Sequence, residues 1–142
     1  LIAEVAAKRK VVFPIHPRTV KNIEAFGLKA KCDAIKGLVL TEPLDYFAFQ
    51  KLIATCGFIL TDSGGIQEES TFRQVPCLTL RPNTERPSTV TLGSNELVPL
   101  EMTAVREAIA RIENGTFKKG QLPPLWDGHA TERIAEVLER VL

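Results

Sequence analysis

The amino-acid sequence predicts an α/β fold, a parallel sheet with flanking helices, on three observations. Short, nearly continuous apolar runs bounded by turn residues recur along the chain, as expected of strands buried on both faces. Segments of helical period lie between them, and strands alternating with helices build parallel sheets. Small and polar residues gather just past the runs, at the carboxyl ends of the strands, where right-handed crossovers put functional loops.

Taken in order, Leu1 to Lys10 has helical spacing, with Ile2, Val5 and Ala6 on one face and no capping residue ahead of them. The chain is therefore expected to begin inside a helix. Val11 to Ile15 is the first apolar run, and the periodic residues Val20, Ile23 and Phe26 follow it. Gly37 to Leu40 is the second run, leading to a helix from Phe47 to Ala54. Gly57 to Leu60 is the third, with a helix from Ile66 to Phe72 after it, and Pro76 to Leu80 is the fourth. Asn95 to Val98 is a weaker fifth. Two amphipathic stripes close the chain: Val105, Ala108, Ile109 and Ile112, then Ile134, Val137, Leu138 and Val141. Lys118 to Pro124 reads as a flexible link before the last helix.

At 142 residues, 44% apolar and 25% charged, the chain has the size and composition of one globular domain, taken as residues 1–142. Eighteen Lys and Arg against 17 Asp and Glu leave a net charge of +1, so no basic excess announces nucleic acid. No apolar run approaches the roughly 18 residues of a membrane-spanning helix, and the first residues lack the regions of a signal peptide. Cys32, Cys56 and Cys77 are too far apart for a C-x-x-C metal clip and odd in number, which reads as reduced core thiols in a cytoplasmic protein.

The residues most able to carry chemistry stand in Thr61-Asp62-Ser63-Gly64-Gly65-Ile66-Gln67-Glu68-Glu69, directly after the third run and at the start of a helix. Glycines allow a tight turn, and bare N–H groups with the positive end of the helix dipole behind them make a phosphate cradle. Ser63 either caps the helix or donates its hydroxyl to a phosphate oxygen. A carboxylate one turn further on would be repelled by phosphate, yet it can accept two hydrogen bonds from a vicinal diol. A diphosphate at the helix start with a diol on its flank describes a nucleotide with its ribose. Glu68 and Glu69, adjacent on a helix, cannot share a face, so one of them serves solvent or a second group. The same residues are also compatible with an ordinary strand-to-helix turn.

Arg81 to Pro87 follows the fourth run, and its two arginines can reach one cleft, where a planar donor fork suits a diphosphate or a carboxylate. The other reading is a surface loop with an Arg–Glu pair. His16 lies between Pro14 and Pro17 at another strand end, either meeting a ligand or ordering its loop by binding a backbone carbonyl; His129 is expected to be exposed. There is no Ser-His-Asp order, no metal-ligand cluster and no G-x-x-x-x-G-K-[ST] motif, so the sequence shows binding chemistry more clearly than bond breaking.

Phe13-Pro14-Ile15-His16-Pro17, Pro43-Leu44-Asp45-Tyr46, the Asp62 to Glu69 string and Thr84-Glu85-Arg86-Pro87 together resemble the carboxy-terminal domain of UDP-N-acetylglucosamine 2-epimerases, through nearly the whole chain. The resemblance implies a Rossmann-like sheet forming one half of the two-domain glycosyltransferase B fold. It implies that Ser63, Gly64 and Gly65 bind the diphosphate, Glu69 the ribose hydroxyls, Phe49 the uracil and Arg86 the phosphates. It implies UDP-N-acetylglucosamine or UDP as ligand, and elimination of UDP across C1 and C2 of the sugar followed by re-addition, with no redox cofactor and no metal. The family's acid and base carboxylates lie in its amino-terminal domain, so no catalytic residue is assigned to this chain. His16 stands where many relatives carry His-x-Asn-Pro, a motif implicated in binding a second UDP-sugar, whereas this chain reads His16-Pro17-Arg18-Thr19.

The resemblance further implies that the full-length protein is a homodimer and that its product is a precursor of cell-surface polysaccharide. In the family's order the opening helix follows a central strand, so the sheet is expected to be interrupted between the strands of Val11 and Phe58, with a partner amino-terminal domain lying outside the chain. Two rival readings remain. The donor domain of a nucleotide-sugar glycosyltransferase shares the cradle and the ribose acid, but is not expected to carry Thr84-Glu85-Arg86-Pro87. A non-enzymatic α/β interaction module requires acidic residues at an early strand end, where this chain has Pro14-Ile15-His16.

Overall fold

Strands and helices alternate from end to end of the computed structural model, which describes residues 1–142. Contacts divide them into two units, Leu1–Phe49 and Gln50–Leu142. The five strands form two parallel sheets, of two and three strands, not one.

In the first unit, α1 (Ile2–Ala6) leads to β1 (Val11–Pro14), α2 (Pro17–Ala25), α3 (Lys29–Asp33) and β2 (Leu38–Thr41). β1 pairs with β2 alone, from Val11 opposite Leu38 to Pro14 opposite Thr41. The Val11 and Ile15 N–H groups donate to Gly37 O and Thr41 O, at 2.8 and 2.9 Å. Pro14 has the opposite parity, so its missing N–H falls on the unpaired side and costs the ladder nothing. α1 covers both strands and buries Val5 and Ala6. Its approach depends on Gly37, where a Cβ would stand 2.1 Å from the Ala6 carbonyl oxygen.

The helix α4 (Tyr46–Thr55) begins where the Asp45 carboxylate accepts from the Ala48 N–H at 2.9 Å, a side-chain N-cap. The second unit then runs through β3 (Ile59–Thr61), α5 (Gly64–Arg73), β4 (Cys77–Thr79), α6 (Pro87–Thr91), β5 (Asn95–Leu97), α7 (Met102–Glu113) and α8 (Ala130–Val141). β4 is central, with β3 and β5 parallel on either side. Cys77 and Leu78 are fully buried, among Ile53, Val75, Val98, Phe117 and the α7 residues Val105, Ala108 and Ile109. The rest of the interior is polar: Gln67, Ser70 and Thr71 on α5, with Thr79, Thr89, Ser94 and Asn95.

Several expectations are corrected. The segments α3 and α6 were not anticipated; at five residues each they are too short to show a period. Cys32 and Cys56 are half-buried, leaving Cys77 as the one true core thiol, and all three are free. The segment from Lys118 to Pro124 is not loose. Lys118 Nζ donates to Val90 O at 2.6 Å, Gln121 N–H donates to Leu92 O at 2.8 Å, and Gly120 passes so close that a Cβ would stand 2.5 Å from Ser94 N. Burial lowers the Lys118 ammonium from the ordinary lysine value. α8 has no buried residue, and its stripe of Ile134, Val137 and Leu138 is exposed. Arg133 pairs with Asp127 just ahead of α8, and those hydrogen bonds hold the Asp127 carboxyl well below the usual carboxylate range. No helix is long and apolar enough to cross a membrane.

Candidate functional site

β3 ends at Thr61, and the chain turns through Asp62 and Ser63 into α5. Ser63 has the extended backbone of an N-cap (φ −79°, ψ 135°), but its side chain caps nothing. Its own N–H donates to Thr61 Oγ1 at 3.1 Å instead. The first N–H groups of α5 therefore lack the expected serine cap and stand at the positive end of a ten-residue helix.

The two glycines have different reasons to be there. A Cβ at Gly64 would stand 2.6 Å from Glu85 Oε1 and 3.3 Å from Arg86 Nε, so the loop after β4 lies over the helix start. A Cβ at Gly65 would meet nothing within 4 Å, and its φ lies outside the left-handed region. Neither packing nor conformation requires glycine at Gly65, while helix propensity disfavours it there by about 0.8–1 kcal/mol relative to alanine.

Of the loop's two arginines, Arg81 pairs with Glu85 at 3.2 Å, the surface pair that the sequence left open. The Glu85 carboxyl is lowered from its ordinary value first by a backbone hydrogen bond and then by the Arg81 and Arg86 charges. Arg86 reaches the helix. Its Nη1 lies 3.0 Å from Glu68 Oε1, with the side chain 34% exposed, and its Nε is buried without a hydrogen-bond partner. Glu68 is thus the acid that serves a second group, and that group is Arg86. Glu69, half-buried on the next position, makes no hydrogen bond or ion pair and remains available to a ligand.

A buried polar network holds this loop in place. Gln67 Oε1 accepts from Thr84 Oγ1 at 2.7 Å and from Asn95 Nδ2 at 3.1 Å, and Gln67 Nε2 donates to Ser63 O at 3.3 Å. Asn95 Nδ2 also donates to Thr89 Oγ1 at 3.1 Å, and Asn95 Oδ1 accepts from Thr79 Oγ1 at 2.6 Å. The two hydroxyls then grip the Arg86 backbone: its N–H donates to Thr84 Oγ1 at 3.0 Å, and its carbonyl accepts from Thr89 Oγ1 at 2.8 Å. Periodicity looks for apolar stripes and so passes over a polar interior. The available signal was Gln67, which repeats at helical spacing with Ser63, Ser70 and Thr71.

Phe49, His16 and His129 stand on other elements. Phe49 is half-buried on α4, at the end of the first unit. His16, also in the first unit, is the N-cap of α2, and its Nδ1 accepts from the Arg18 N–H at 3.2 Å. It orders its loop as one reading held, but as an acceptor from N–H and not a donor to a carbonyl. His129 is exposed and lies 2.8 Å from Glu132 Oε2. No cluster of His, Cys, Asp and Glu could hold a metal ion.

An uncapped helix start at the carboxyl edge of a parallel sheet, under an arginine-bearing loop, is an α/β arrangement suited to an anionic group. Among known proteins the match is narrower: residues 1–139 match the UDP-N-acetylglucosamine 2-epimerase family, and the chain belongs to it. It is 46% identical over 131 residues to the UDP-N-acetylglucosamine 2-epimerase of Methanococcus maripaludis, and 40% over 130 residues to that of Methanocaldococcus jannaschii. Each alignment takes in 92% of this chain but 35% of the relative. The chain therefore spans about a third of the length of these curated relatives. The crystal structure of the Methanocaldococcus jannaschii UDP-GlcNAc 2-epimerase in complex with UDP-GlcNAc and UDP superposes with a TM-score of 0.80 at 40% identity, over 98% of this chain and 38% of that one. The fold is accordingly the Rossmann-like portion of a glycosyltransferase B-like arrangement.

Proposed function

We propose that this chain is the UDP-binding portion of a cytoplasmic UDP-N-acetylglucosamine 2-epimerase, which interconverts UDP-N-acetylglucosamine and UDP-N-acetylmannosamine. In that reaction the C1–O bond breaks with its electron pair leaving on the β-phosphate oxygen of UDP, while the C2 proton passes to a base. The resulting 2-acetamidoglucal takes UDP back at C1 and a proton at C2 on the opposite face. Oxidation states are unchanged over the cycle, so no redox cofactor is called for. The acid and base belong to the amino-terminal domain of the full-length homodimer.

This chain's part is to hold the leaving group. The N–H groups of the first α5 turn and the Ser63 hydroxyl meet the diphosphate, and Arg86 adds its guanidinium, so charge developing on departing UDP meets donors already in place. Glu69 accepts from the ribose hydroxyls, and Phe49 meets the uracil. Glu68 holds Arg86 over the helix start.

The observation that carries this reading is the open space beside Gly65, a helical glycine that its own fold does not require. Titration of UDP and of uridine into wild-type and Gly65→Ala protein tests it. The alanine should leave the melting temperature at or above wild type and leave uridine binding unchanged. UDP affinity should fall at least about tenfold, because the added Cβ takes the space where the phosphate would approach the helix N–H groups. Unchanged UDP affinity would remove the phosphate from this helix start.

A further inference from the structure

We infer that the buried amide pair Gln67–Asn95 is a positioning device for Arg86, acting through the hydroxyls of Thr84 and Thr89. The inference rests on the reading of α5 as a phosphate site and deepens it. It names residues that touch no nucleotide and yet set where the guanidinium stands.

The bonds have one consistent direction. Asn95 Nδ2 has two hydrogens, and one goes to Gln67 Oε1, the other to Thr89 Oγ1. The single Thr84 hydrogen goes to Gln67 Oε1, so its lone pairs face the Arg86 N–H. The single Thr89 hydrogen goes to the Arg86 carbonyl. The Thr79 hydroxyl fills Asn95 Oδ1, which fixes the amide orientation. Reversing Gln67 would set donor against donor and reversing Asn95 acceptor against acceptor, so the network has a single low-energy arrangement.

Its reach is as specific as its polarity. Gln67 and Asn95 are both 0% exposed. Buried amides are costly unless fully bonded, so an interior that keeps them keeps them for geometry and not for stability. Gln67 ties the helix start through Ser63 O to the loop through Thr84, and Asn95 ties both to β5. Arg86 is held at its N–H and its carbonyl, in the peptide planes on either side of its Cα, which sets the direction of its side chain. The guanidinium then lies beside Gly64 with Nε buried and unpartnered, a donor presented before any anion arrives. A donor held in advance is the arrangement that stabilises developing charge without reorganisation.

Thr84→Val removes both bonds of one hydroxyl and keeps its shape, and Thr84→Ser restores them. Two measurements on the chain decide the matter: titration with UDP and with uridine, and hydrogen exchange at the Arg86 amide without nucleotide. The Cys77 amide, bonded to Ser94 O at 3.0 Å, is the internal reference for global stability. Positioning predicts that valine weakens UDP about tenfold and leaves uridine unchanged, that Arg86 loses exchange protection while Cys77 keeps it, and that serine restores each. UDP and uridine weakened alike, or an Arg86 amide as protected in the valine variant as in wild type, would overturn it. If the wild-type chain fails to bind UDP, the nucleotide reading falls. The exchange result then decides positioning alone: lost protection upholds it and retained protection overturns it.

Discussion

Glu68 and Glu69 are neighbours of identical chemistry, and the structure gives them different work. Glu68 is spent on Arg86, in a pair whose two side chains are 42% and 34% exposed. Such half-exposed pairs contribute about 0.2–1 kcal/mol, so Glu68→Ala should change UDP affinity by no more than roughly fivefold. Glu69 is unpaired in the protein, and losing it deletes hydrogen bonds from a charged acceptor, each about 1.5–3 kcal/mol, so Glu69→Ala should cost at least about tenfold. Titration calorimetry distinguishes the two, and equal losses would withdraw the ribose role from Glu69. The string from Ser63 to Glu69 is legible in sequence because each residue type has a local reason: an extended Ser63, glycines at the helix start, acids one turn on. The partner of Glu68 is not legible there. Arg86 lies 18 positions further along, and the bond exists because Gln67 and Asn95 bring the loop back over the helix.

The strands stand within a residue or two of where apolar runs placed them, but burial on both faces holds only for β4, since Val39 and Leu40 of β2 are exposed and β1 and β3 are half-buried. Helix starts were less well read, although α2 and α6 each begin with proline at the first helical position, a signal present in the sequence. What no pattern conveys is how closely elements approach. Gly37 precedes β2 and admits the Ala6 carbonyl to a place that a Cβ would fill, with Ala6 C at 2.9 Å and Ala6 Cα at 3.1 Å. These are backbone atoms and cannot rotate aside. Gly37→Ala should therefore lift α1 from β1 and β2, uncover Val5 and Ala6, and destabilise the first unit by about 1–3 kcal/mol. Thermal denaturation together with exchange at the Val11 amide, which donates to Gly37 O, measures this. A variant as stable as wild type would mean that α1 contributes nothing to the first unit.

For the molecule as a whole, the alternation of strands and helices already foretold parallel pairing, and both sheets are parallel throughout. Division of labour follows from content. On the proposed reading the chain holds the phosphates, and the acid and base lie outside the third of the relatives' length that it matches. The purified chain should bind UDP and release no UDP-N-acetylmannosamine from UDP-N-acetylglucosamine; turnover above the buffer control would place the proton-transfer groups here. The fully buried Cys77 has a last consequence. Burial raises its thiol above the ordinary value of 9.0, so it stays protonated and unreactive while the second unit is closed. Alkali reverses the benefit: above pH 9 an unfolded chain sheds that proton and the folded one retains it, so stability declines as pH climbs. The native thiol is thus a clock for opening of the second unit, one that runs only when the β-sheet comes apart.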